Sequence, residues 1–396
     1  MLQPIEPGSA LSTIYGGLPQ ARRRSAWLAG AGFLVALAAG AAGVSFWGGI
    51  SLGGRWLVPA LAAAAWTLHR FLRLLPMNRP ETGGAVYRDL GPATRITLLR
   101  GILVALLAGF AFIPWPRMGG GPVPWPWIPG VLYGLAVILD GLDGWVARKT
   151  GRVTRMGARL DMEADALGLL AASAVAVLAD RLPPAYLAAG LAYYLFSAGI
   201  RVRERLGRPV GEVLPWQGAR IIAGWQMALA AAALLPVVST RAASLAAYIV
   251  MIPLLAGFGR DWWIVCGRAG NDCFARTRWG RWMRGLALRW IPLSARFFAL
   301  AWAAAWLAGP ALSVRRHGAV LAAALALMAL GFLGRTAAAG SVWIAGGLLA
   351  GGGQGRWEVS AAFVSGLVVV MAGTGPLSLW RPEDRWVARE AGDRKP

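Results

Sequence analysis

Four aspartates, Asp140, Asp143, Asp161 and Asp165, stand close together between runs that are apolar enough to live in lipid. The first two are three residues apart and the last two four apart, so on helices each pair shares one face. Four carboxylates converging from two helix ends repel one another unless cations neutralise them. Oxygen donors of this kind suit Mg²⁺, Mn²⁺ or Ca²⁺ better than zinc or copper. The connector between the pairs, residues 148–159, adds Arg148, Lys149, Arg152, Arg155 and Arg159. Carboxylate-held metal beside basic side chains can hold phosphates, and two ions about 3.5–4 Å apart can clamp the attacking and leaving oxygens of a phosphoryl displacement. Glu163 is turned away from the other acids by the helical period and is expected at the surface.

The elements that must position these acids are membrane helices. The chain has 396 residues, of which 57% are hydrophobic and only 15% charged, and its mean hydropathy is +0.54. Soluble domains are rarely so apolar. Apolar runs predict spans at about 27–47, 56–70, 97–114, 131–147, 161–179, 185–200, 221–238, 242–257, 291–307, 319–333, 341–349 and 359–371, the run at 341–349 being the weakest. Arg22-Arg23-Arg24 ahead of the first run resembles a signal-peptide start, but the run is too long for one, and a second span follows closely. The first two spans make a hairpin around a short Gly-rich turn at 48–54. The fold class expected is an all-α polytopic membrane protein of about 10–12 crossings. It divides into an N-terminal extension at 1–85, a central helical region at 86–258, and a basic loop with a C-terminal bundle of about four helices at 259–396.

The net charge of +22 raises the question of nucleic acid. The basic residues fall in clusters between apolar runs, a pattern that topology control explains better, so no nucleic-acid partner is expected. With Arg22–Arg24 placed in the cytoplasm, the basic loops at 69–100, 148–159, 201–220 and 260–289 all fall on the inside. Only Arg315-Arg316-His317 falls on the wrong side. This places the aspartates at the cytoplasmic edge of the cytoplasmic membrane. The 21 tryptophans read as interfacial belts. Cys266 and Cys273 lie in one basic loop without a zinc-like spacing and read as free thiols, and His69 and His317 read as interfacial residues rather than ligands.

With those residues in view, the chain resembles the CDP-alcohol phosphatidyltransferase family, whose signature is D-x2-D-G-x2-A-R-x8-G-x3-D-x3-D. Here Asp140, Asp143, Gly144, Ala147, Arg148, Gly157, Asp161 and Asp165 fill it with every interval kept. The resemblance covers about 86–258 and implies a six-helix catalytic core. It implies transfer of a phosphatidyl-type group from a CDP-linked lipid such as CDP-diacylglycerol to an alcohol, with release of CMP. By the same resemblance, Asp140, Asp143, Asp161 and Asp165 hold two divalent ions, Mg²⁺ or Mn²⁺, and Asp165 is also the general base. Asp140, Gly144, Ala147, Arg148, Thr154 and Gly157 would meet the CDP moiety, and a homodimer is expected.

Thr97-Leu98-Leu99-Arg100 is similar to the segment that opens the family's first helix, notably in phosphatidylglycerophosphate synthases, although Pro92-Ala93-Thr94 stands where an asparagine is usual. Gln217-Gly218-Ala219-Arg220 is similar to a later G-K segment, with Ala219 in place of the lysine. Arg201 and Arg220, at the cytoplasmic ends of their spans, are the candidates for a phosphate on the acceptor. That favours glycerol 3-phosphate or inositol phosphate, with an amino alcohol such as serine as the alternative. A cation transporter using the four acids as a relay is the reading from another class. Gly144, Ala147, Arg148 and Gly157 argue against it, since a cation path needs none of them.

Overall fold

In lipid a backbone N–H or C=O must find its partner within its own segment, so the apolar runs have little choice but to coil. The structure, a computed structural model, describes residues 20–80, 84–87, 89–114, 125–214, 217–270, 290–308, 316–330, 334–350 and 357–372. Among these no strand forms, and Pro80 and Thr154 make an isolated antiparallel bridge. The helices are α1 Gln20–Gly48, α2 Ile50–Leu74, α3 Pro92–Ala108, α4 Ile128–Lys149, α5 Arg155–Leu178, α6 Leu187–Arg205, α7 Gln217–Ala233, α8 Thr240–Val265, α9 Ile291–Ala308, α10 Arg316–Leu330, α11 Gly334–Ala350 and α12 Trp357–Ala372. Each span expected from the sequence overlaps one of them, the weak run at 341–349 included. The chain is an all-α polytopic membrane protein. Among the described residues, five segments are long and apolar enough to cross a bilayer: Arg24–Gly48, Pro92–Phe112, Ile128–Lys149, Pro184–Arg205 and Thr240–Val265. His317 and Cys273 lie outside the described residues and side chains.

Two of the boundary differences bear on packing and on the site. The α1–α2 reversal takes place at Gly49 alone, with φ of 82°, and Gly53 and Gly54 lie inside α2. A Cβ at Gly53 would stand 3.1 Å from the carbonyl of Ala41, so that glycine lets the two arms of the hairpin close together rather than turning the chain. Further on, α5 begins at Arg155, well before the expected 161, so Gly157 and Arg159 are helical. The start is set by Thr154, an N-cap whose hydroxyl accepts a hydrogen bond from the amide of Gly157 at 2.9 Å.

Contacts divide the chain into two compact units, Met1–Ala179 and Asp180–Pro396. In the first, α3 packs against α2, α4 and α5. A buried cluster of Phe71, Leu74 and Leu75 with Leu90, Leu98, Met156 and Leu160 ties the N-terminal hairpin to the connector and to α3 and α5. Trp56 is fully buried and meets Phe110 edge to face, with ring centroids 6.2 Å apart. A Cβ at Gly40 or Gly109 would overlap its indole, so those glycines make the slot.

The second unit has its own core, in which α8 packs with the C-terminal helices through Val250, Leu321, Leu325, Met328 and Phe363. Several polar side chains there find partners in the interior. Tyr186 donates to Oε1 of Gln226 at 2.8 Å, and Nε2 of Gln226 donates to the carbonyl of Val250 at 2.7 Å. Arg181 donates to the carbonyl of Ala233, the last residue of α7, and to those of Leu235 and Val238 just beyond it.

Candidate active site

All four aspartates belong to the first unit. Asp140 and Asp143 come from α4 and Asp161 and Asp165 from α5. Between them, on α3, stands Arg100, 2% exposed. Its Nη1 pairs with Asp140 and lies 3.3 Å from Oδ2 of Asp143. Its Nη2 donates to Oδ1 of Asp161 at 2.7 Å and to the carbonyl of the same residue at 3.1 Å, and lies 3.0 Å from Oδ1 of Asp165. One guanidinium thus touches all four acids.

Thr97, one turn earlier on α3, donates from its hydroxyl to Oδ2 of Asp143 at 2.8 Å, within reach also of the Ala93 carbonyl at 3.1 Å. Asp143 is buried. The other three acids are half-buried, and each offers an oxygen within 4.8 Å of the others'. Four negative charges against the single positive charge of Arg100 leave the cluster with an excess of three. A divalent cation fits a set of hard carboxylate oxygens carrying such an excess, and Asp140, Asp161 and Asp165 are the residues placed to hold it.

The glycines and the basic connector are arranged around this cluster with distinct duties. The Arg148 side chain folds over Gly144, where an added Cβ would come 3.2 Å from its Nη1. Arg148 and Arg159 are exposed. Ala147 is half-buried on the same helix. Lys149 lies over the ring of Trp145, 4.6 Å from its centroid. Arg152 is taken up by Asp89, donating to both carboxylate oxygens at 2.9 and 3.2 Å, and stacks on Tyr87. That hydrogen bond holds the Asp89 carboxyl below the usual carboxylate range.

Thr154 is buried and spends its hydroxyl on the α5 cap. A Cβ on Gly157 would stand 3.0 Å from that oxygen. Thr154→Ala is therefore expected to cost about 1 kcal/mol of stability, read as a lower unfolding temperature that Thr154→Ser restores. A raised KM for the CDP-lipid with unchanged unfolding would assign the hydroxyl to the nucleotide instead.

Glu163 corrects the sequence reading. It does face away from the aspartates, but it is buried rather than at the surface, and it forms a bidentate ion pair with Arg70 of α2. Sequence reasoning noted Thr97 and Arg100 as part of a family-like segment but gave them no role in the site, and it missed the Arg70–Glu163 pair. For Arg100 a signal was available, since a charged residue inside an apolar span calls for a partner. Arg201 is an exposed residue near the end of α6 in the second unit, and the side chain of Arg220 lies outside the described ones.

Residues 92–258 match the family model of CDP-alcohol phosphatidyltransferase. This stretch is a CDP-alcohol phosphatidyltransferase domain. It takes in α3–α7 and most of α8, including every residue of the aspartate motif. No curated protein and no solved structure matches the chain. The CDP-alcohol phosphatidyltransferase domain makes the protein an enzyme that transfers a phosphatidyl group from a CDP-alcohol, and it decides against the cation-transport reading. It leaves α1, α2 and α9–α12 outside the family's own extent.

Proposed function

We propose that the protein transfers the phosphatidyl group of CDP-diacylglycerol to a phosphorylated polyol such as glycerol 3-phosphate or inositol phosphate, releasing CMP at the cytoplasmic face of the cytoplasmic membrane. The observation that carries this reading is the convergence of the four motif aspartates from α4 and α5, three of them with oxygens mutually within 4.8 Å. Mg²⁺ or Mn²⁺ held by Asp140, Asp161 and Asp165, with Asp143 behind them, would polarise the phosphoryl centre and neutralise charge on the departing nucleotide.

The chain's own residues supply the rest. Exposed Arg148 and Arg159 offer hydrogen-bond donors to the pyrophosphate. Asp165 takes the proton of the acceptor hydroxyl as its oxygen forms the new P–O bond. The P–O bond to CMP breaks, and CMP leaves with that electron pair. Arg100 holds the carboxylates in one place throughout.

Purified protein given CDP-diacylglycerol, Mn²⁺ and a panel of acceptors should release CMP, with glycerol 3-phosphate and inositol phosphate tested first. No CMP with any polyol phosphate or amino alcohol would overturn the proposal, and release with serine alone would overturn the acceptor class. Arg201 is the proposed acceptor-phosphate ligand, together with Arg220. Losing a charged hydrogen bond costs about 1.5–3 kcal/mol, so Arg201→Gln should raise the acceptor KM about 10- to 100-fold while kcat holds. An unchanged KM would free Arg201 from that role.

A further inference from the structure

Glu163 sits between Asp161 and Asp165 in sequence, yet each helical step turns the chain by about 100°, so it points from the opposite side of α5. There it is buried and gripped through both carboxylate oxygens by Arg70. Arg70 belongs to α2, outside the family match at 92–258. The same N-terminal segment holds α5 at a second place. The carbonyl of Arg79 accepts from the amide of Arg155 at 3.0 Å, and Pro80 bridges to Thr154, the cap of the helix. Buried Asn78 anchors that stretch by donating to the Asp89 carbonyl at 2.9 Å.

We infer that the N-terminal segment is a built-in brace for the metal ligands, and that Arg70 and Glu163 are positioning residues for Asp161 and Asp165. A helix gripped at its first turn and pinned two turns on by a bidentate pair can neither slide nor roll. Site geometry tolerates only about 0.5 Å or 10–20° of error. A pair on one side of α5 that fixes its roll therefore sets where the two carboxylates on the other side stand. A buried pair is weak as a source of stability, because desolvation offsets most of its Coulomb energy. Orientation is what it supplies here.

This inference rests on the metal-dependent reading proposed above, and its test separates the two. Mn²⁺ binding to the full-length protein, without substrate, is measured from the loss of the free-ion electron paramagnetic resonance signal, with thermal unfolding recorded in parallel. A wild type that binds no Mn²⁺ would count against the metal reading itself. Given a wild type that binds, Glu163→Gln should weaken Mn²⁺ binding about tenfold, the low end of what removing an orienting partner of a metal ligand costs.

Glu163→Gln removes the carboxylate that Arg70 grips and can fail to fold. The double variant Arg70→Met with Glu163→Leu removes both charges at similar volume, a change that cores tolerate, and should show the same weakening at an unfolding temperature near the wild type's. Wild-type Mn²⁺ affinity in either folded variant would overturn the inference. Should neither fold, Arg70→Lys keeps the charge without the bidentate grip. Its Mn²⁺ affinity should fall severalfold, and a wild-type value there would overturn the inference equally.

Discussion

Asp165→Asn is expected to lower the rate of CMP release by about 10³-fold or more in a protein that still folds and still binds the CDP-lipid. Two losses combine. The amide cannot take a proton from the acceptor hydroxyl, and a positioned base contributes about 10²–10⁴-fold. The amide also removes one charge from the three oxygens that lie within 4.8 Å of one another, so metal affinity falls as well. The two effects separate on titration with Mn²⁺. Excess metal restores the ligand contribution, and the residual defect at saturation reports the base. Binding of the CDP-lipid, followed by competition with CMP, should change far less, because the phosphates have exposed Arg148 and Arg159 to meet. Asp165→Asn with wild-type turnover at saturating metal would remove Asp165 as the base. Asp143→Asn makes a useful contrast. Asp143 is buried and takes a hydrogen bond from Thr97, so its replacement should disturb stability first and metal affinity second.

The aspartates were legible in the sequence, but the groups that hold them were not. Hydropathy found the helices because lipid leaves an apolar run no other way to satisfy its backbone, and interval counting found the aspartates because helical periodicity puts residues three and four apart on one face. Neither rule sees across helices. That Arg100 on α3 reaches acids on α4 and α5 is a matter of which helices are neighbours; its charge inside an apolar span called for a partner without saying which. Glu163 shows the same blindness from the other side. Its angle on α5 was readable, but α2 lying against that face was not, so a buried acid paired with half-buried Arg70 looked like a surface acid. Thr154 was legible as a residue type and takes its place in the structure as the cap of α5. Boundaries were the least legible. The start of α5 at Arg155 rests on that single cap hydrogen bond, and the reversal at Gly49 rests on one left-handed backbone.

Arg100→Ala should produce the largest change in stability, and one that added metal largely reverses. In the wild type the guanidinium is the cation shared by all four acids, and it is 2% exposed. Removing it leaves four carboxylates facing one another in a partly buried site. Stripping the partner from a buried pair costs about 3–5 kcal/mol, which for a unit of this size is on the order of 10 °C in unfolding temperature. That loss is expected in the presence of a chelator. A divalent ion that binds the native cluster and not the unfolded chain adds stability by mass action, about 2.7 kcal/mol at a hundred times its dissociation constant. The cluster without Arg100 carries one more negative charge, so it should bind the ion more tightly. Mg²⁺ or Mn²⁺ should accordingly raise the unfolding temperature of Arg100→Ala by more than it raises that of the wild type. Arg100→Lys keeps the charge but cannot span four carboxylates with one ammonium, and should fall between the two. An unfolding temperature in chelator equal to the wild type's would show that Arg100 is not the counter-ion of the cluster. A loss in chelator that no divalent ion restores would show that the carboxylates need the guanidinium's shape as well as its charge.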